Sequence, residues 1–86
     1  MSERINEKVS IISSFNRETL SVMPKKMRWH GRDYLIQSLS YHHVIREGKK
    51  LLHIFHVTDG SSDFKLSLDT ENLFWTLDEV YDSSST

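Results

Sequence analysis

Five histidines, at positions 30, 42, 43, 53 and 56, are the side chains of this chain best suited to chemistry near neutral pH. Imidazole titrates there, and in its neutral form it ligates divalent metals. His53 and His56 are three apart, so a regular strand sends them to opposite faces, and the adjacent His42 and His43 also diverge. A usable pair therefore needs two strands. With Arg46-Glu47-Gly48-Lys49-Lys50 as a five-residue loop, His43 stands opposite His53, and two imidazoles there suit zinc or nickel. A third ligand would have to come from Asp33 or Glu47, and a one-residue slip in register parts the pair. His43 and His53 are thus weak metal candidates beside the plainer reading of partly exposed sheet histidines. No cofactor is expected.

Nucleophilic catalysis has less to work with. None of the serines lies in a recognisable nucleophile turn. Three scattered glycines make no phosphate-binding loop. The acids between 59 and 82 fall mainly at turns, with no pocket implied. The expectation is that this is not an enzyme.

A basic and aromatic stretch is better material. Lys25, Lys26, Arg28, His30 and Arg32 cluster with Trp29 and Tyr34. Cations for phosphates beside rings for stacking is the arrangement that single-strand nucleic-acid binders use. The competing reading makes Trp29 and Tyr34 core residues, with the cations turned outward by strand alternation. The position of Trp29 separates the two: buried, it is scaffold; exposed among cations, it is a stacking platform.

The elements that must position these groups read as strands. His30-Gly31 is a hairpin turn, since glycine tolerates the positive φ such turns demand, and it hinges strands over 25–29 and 32–41. Tyr34 and Ile36 share one face whereas Leu39 lies on the other, a parity switch that predicts a bulge or bend near Gln37-Ser38. Val9, Ile11, Ser13 and Phe15 alternate with Ser10, Ile12 and Ser14, giving an earlier strand. Pro24 restricts its own strand to an edge or a strand start. Leu51 to Val57 is apolar on both faces, which requires a central place in the sheet or a homodimer contact. Thr58 to Ser62 is a turn; Phe64, Leu66 and Leu68 form a strand, and Leu73, Trp75 and Leu77 the last one. Residues 1–7 read as a flexible N-terminus, 8–82 as one domain and 83–86 as a disordered tail.

Short strands at this spacing indicate an all-β fold, and 86 residues favour a small antiparallel barrel, SH3-like, of five to seven short strands. Two Trp, three Tyr and four Phe supply most of a thin core. The chain has no cysteine to form disulfides or thiolate metal sites. Its longest apolar runs are far too short to span a membrane, so a cytoplasmic setting is expected. Net charge is −1, but residues 1–58 carry ten Lys or Arg against five acids, and residues 59–86 carry Lys65 against seven acids.

The ordered set Arg28-Trp29-x-Gly31-Arg32-x-Tyr34-x-Ile36, Phe55-x-Val57-x-Asp59-Gly60, Phe64-x-Leu66 and Trp75-x-Leu77-x-x-Val80-Tyr81-Asp82 resembles a family of small uncharacterised bacterial β-barrel domains. That family carries a W-x-G-R-x-Y pattern and a closing W-x-L. A similar module ends the polymerase-like subunit of bacterial mutagenic translesion complexes. The resemblance spans about residues 9–82, implies a small barrel, and brings no catalytic residue with it. The function expected is a small non-catalytic adaptor or accessory domain that binds a protein partner, with homodimerisation through Leu51 to Val57 as one form of it. The alternative is single-stranded nucleic-acid binding through Lys25, Lys26, Arg28, Trp29, His30 and Arg32, linked to DNA damage tolerance.

Overall fold

The computed structural model describes residues 2–82. Seven strands occur in chain order: β1 (Ser2–Asn16), β2 (Ser21–Trp29), β3 (Arg32–Leu35), β4 (Ser38–Glu47), β5 (Lys50–Thr58), β6 (Ser62–Asp69) and β7 (Trp75–Asp82). They form one antiparallel sheet in the order β3-β2-β1-β7-β6-β5-β4. The fold is all-β, as the alternation requires, and the sheet is not closed by a ladder between its edge strands β3 and β4. Among the described residues no helix is long and apolar enough to cross a membrane.

Two bends give the sheet its shape. The first is the break at Ile36-Gln37, within a residue of the expected place. There the Ile36 N–H donates to Lys25 O of β2 and the Gln37 N–H donates to Thr58 O of β5, at 2.9 and 2.8 Å. One continuous segment thus begins on one edge of the sheet and continues on the other. The second is β1, whose first half pairs with β7 and whose second half pairs with β2. A register shift between Arg4 and Glu7, with Asn6 at φ 55°, bends its first half; asparagine is among the residues that tolerate the left-handed region.

Residues 2–7, read as a flexible N-terminus, form the first part of β1. Their sequence is polar, and only partners on β7 make them a strand, from Ser2 opposite Tyr81 to Glu7 opposite Leu77. The tail at 83–86 lies outside the described residues. Pro24 sits where the β1–β2 register shifts, beyond the stretch of β2 that β3 covers. Its missing N–H therefore costs no ladder bond to β3.

The core is made by Met27, Ile36, Phe55, Val57, Phe64, Leu66 and Leu77, all buried. Ile5, Val9, Ile11, Trp29, Tyr34, Trp75 and Val80 are half-buried around it. Leu51 to Val57 falls on β5, an interior strand between β4 and β6. Its core face carries Phe55 and Val57, while Ile54 is buried on the opposite face. Placement inside one sheet thus accounts for its apolar character.

Candidate functional site

The first hairpin turns as expected. Trp29 pairs with Arg32 around a two-residue turn, with His30 at φ 52° and Gly31 at φ 75°, the double positive φ of a type I′ turn. Its basic residues do not form one surface. Lys26 and Arg28 share the face away from the core, and both reach Asp33, at 3.4 Å each. Arg32 lies on the Trp29 face with its guanidinium 5.5 Å from the Tyr34 ring centroid. Lys25 is exposed at the bulge beside Pro24.

Trp29 is neither fully buried nor free. Its ring stacks on His30 at 4.6 Å and contacts Tyr34 at 6.2 Å. Its Nε1–H donates to Glu7 Oε1 at 3.1 Å, and the His30 Nε2–H donates to the same oxygen at 3.0 Å. Those two hydrogen bonds, Trp29 first, hold the Glu7 carboxyl below its ordinary value. A carboxylate therefore stands at the centre of the supposed phosphate-binding hairpin. Glu7 was missed in the sequence because it sits in a polar segment with no strand pattern. The acidic strands β6 and β7 are kept away from β2 by β1.

The second hairpin corrects the metal pair. Its turn is Gly48-Lys49 alone, with Glu47 opposite Lys50 and Gly48 at φ 65°. A two-residue turn in place of a five-residue loop slips the register by one, so His43 faces Ile54 and His53 faces Val44. The two candidate ligands lie on opposite sides of the sheet. The signal that could have found this is the glycine, since Gly-x is itself a two-residue hairpin turn.

The histidines instead form two other groups. On the core side, His42 Nε2 and His53 Nδ1 are 3.0 Å apart, and His42 stacks on Phe55 at 4.5 Å. The His42 and His53 planes differ by only 15° and their centroids are 5.2 Å apart. That spacing is close to the N···N distance plus two ring radii, so the rings meet edge to edge, with one nitrogen donating to the other. An ion on the same line would need about 2.0–2.1 Å to each nitrogen, more than the gap allows. On the other side, Tyr41, His43 and His56 contact one another, with His43 to His56 at 5.6 Å. His43 Nδ1 is buried with no hydrogen-bond partner among the described residues. No group of three or more His, Asp or Glu able to hold a metal occurs among the described residues.

Burial, then the charges of neighbouring groups, lowers the pKa of both His42 and His56. The unfolded chain therefore takes up protons first as pH falls below the ordinary 6.5, and folding stability drops there. Thermal unfolding followed from pH 7.5 down to about 5.5 is expected to show a falling Tm. A His42→Gln/His56→Gln variant should show a flatter dependence over the same window. Carboxylates held low, Glu7 and Asp69, lose their contribution only below 4.5 and 3.8, so the two effects separate by pH.

The surface is more apolar at its edges than the sequence suggested. Leu39, Tyr41, Val44 and Ile45 of β4 are exposed, as are Ile12 and Phe15 of β1, Leu20 in the β1–β2 turn, Leu35 of β3, and Leu73 and Phe74 before β7. On the outer face of β6 and β7, Ser67 donates to a half-buried Asp78 at 3.1 Å, and Lys50 pairs with Asp69 at 3.0 Å. Burial raises Asp78, and Lys8, Lys50, Ser67 and Asp69 line the same shallow depression. Comparison with protein-family models, with curated proteins and with solved structures finds no match to this chain.

Proposed function

We propose that the chain is a small non-catalytic adaptor or accessory domain that binds a protein partner through a sheet edge, in a cytoplasmic setting. The observation that carries this reading is β4: among the described residues it pairs with β5 alone, and it exposes Tyr41, Val44 and Ile45 on its two faces. A free strand edge with apolar side chains above and below is a template for another strand. The bent segment through Ile36-Gln37, which bridges the two sheet edges, supports an SH3-like barrel as the finer description of the fold. The resemblance to small bacterial β-barrel domains agrees with it.

Single-stranded nucleic-acid binding, with its link to DNA damage tolerance, is the alternative, favoured by the exposure of Lys25, Arg28 and Arg32. The Glu7 carboxylate under Trp29 and the ties of Lys26 and Arg28 to Asp33 weigh against it.

Capture experiments with extract of the source organism separate the two. The immobilised chain is expected to retain a protein partner that a Val44→Lys variant loses and a Lys25→Gln/Arg28→Gln variant keeps. The reverse pattern, or nuclease-sensitive capture, would overturn the proposal.

A further inference from the structure

Among the described residues, the far side of β4 carries backbone N–H and C=O groups with no strand to receive them, because β5 occupies only the other side. Natural edges are usually blunted by charge, proline or a bulge. Here the register shift at Ser40 blunts one end and Arg46-Glu47 the other. Between them Tyr41-His42-His43-Val44-Ile45 has no Lys, Arg, Asp, Glu, Pro or Gly. An unpaired ladder of this kind calls for an extended strand as its occupant, rather than a helix or a nucleic acid.

The side chains narrow the choice of strand. In an antiparallel pair of identical strands, a two-fold axis perpendicular to the sheet keeps every side chain on its own face, so only residues of like parity can stand opposite each other. An axis at His43 sets Tyr41 against Ile45 twice and His42 against Val44 twice, matching aromatic to β-branched residues on both faces. In that register Arg46 meets Ser40 and Glu47 meets Leu39, so no like charges oppose. An axis at Val44 would put Arg46 on His42 and Glu47 on Tyr41. An axis at His42 would run Val44 and Ile45 into the irregular stretch at Leu39-Ser40. Only the His43 register pairs the ring-bearing residues 41 and 42 with the β-branched residues 44 and 45 without leaving the regular ladder. It also brings a second imidazole toward His43, whose Nδ1 the single chain leaves without a partner among the described residues.

We propose that the chain forms a homodimer in which β4 pairs antiparallel with β4 of a second copy about an axis at His43, making one continuous sheet across both. This rests on the protein-interaction reading above and moves the self-contact from β5, whose two edges are already paired, to its neighbour.

Sedimentation of the full chain up to about 1 mM is expected to show a monomer–dimer equilibrium. Hydrogen exchange should show amides of 41–45 becoming protected as concentration rises, with no comparable change around Ile12, Phe15 or Leu20. Val44→Lys and Ile45→Lys alter side chains already exposed in the single chain, so both should fold, by circular dichroism, and both should shift sedimentation to monomer. The chain has no native cysteine, so His43→Cys should give a disulfide-linked dimer on mild oxidation, whereas Leu73→Cys should not. A chain monomeric at every concentration, or a dimer indifferent to both lysine variants, would overturn the proposal. A monomer that still captures another protein through β4 would remove self-pairing and leave the interaction reading standing. A monomer that captures nothing would remove both.

Discussion

Phe55→Ala is expected to destabilise the domain by about 3–5 kcal/mol, a large part of the 5–15 kcal/mol typical of small folds. The Phe55 ring is buried, stacks on His42 at 4.5 Å and packs against Trp75 at 5.2 Å. Its removal leaves a cavity between the hairpin bearing the histidines and the last strand, where a thin core has little to fill it. Trp75→Ala should cost less, because Trp75 is only half-buried. Urea denaturation of the three proteins checks both the size and the order. A Phe55→Ala protein with an unchanged midpoint would contradict the core assignment.

Gly60→Ala is the second large effect, with an expected cost of about 1–3 kcal/mol. Gly60 holds φ at 101°, outside the range an L side chain adopts readily, and an added Cβ would sit 3.0 Å from the Gln37 amide. The turn around it is tightly made: Asp59 Oδ1 accepts from the Ser61 and Ser62 N–H groups at 2.9 and 2.8 Å. The neighbour is the far end of the exposed Gln37 side chain, which has only to shift by a few tenths of an ångström, so the left-handed backbone carries most of the cost. Gly31→Ala, with open space around its Cβ, isolates the backbone cost and should be milder. Equal midpoints for wild type and Gly60→Ala would show that the turn adapts freely.

Much of this fold is legible in the sequence because local chemistry specifies it. Alternating apolar residues mark β6 and the start of β7, and His30-Gly31 and Thr58 to Ser62 mark turns. The parity switch between Ile36 and Leu39 marks the bend that joins the two edges. What is not legible depends on partners far along the chain. Residues 2–7 carry no strand pattern and become a strand only against β7. The slip of one residue that separates His43 from His53 comes from a two-residue turn at Gly48-Lys49, which only the glycine signals, inside a polar run that reads equally as a longer loop. Trp29 and Tyr34 stop at half burial because they pack at the rim of a core centred on Met27, Phe64 and Leu66. The candidate site suffers most from this. Six residues of one stretch are divided between two faces by pairing with β3, and the carboxylate that occupies Trp29 arrives from β1, 22 residues away.

The central claim, a protein partner rather than a nucleic acid, is tested most directly by Trp fluorescence during titration with single-stranded DNA and RNA at low ionic strength. The account predicts no quenching and no salt-sensitive binding, because the Trp29 ring is covered by His30 and its N–H is engaged by Glu7. Quenching with a log–log salt slope near 0.7 per neutralised phosphate, flattened by changing Lys25, Lys26, Arg28 and Arg32 to Gln, would contradict it.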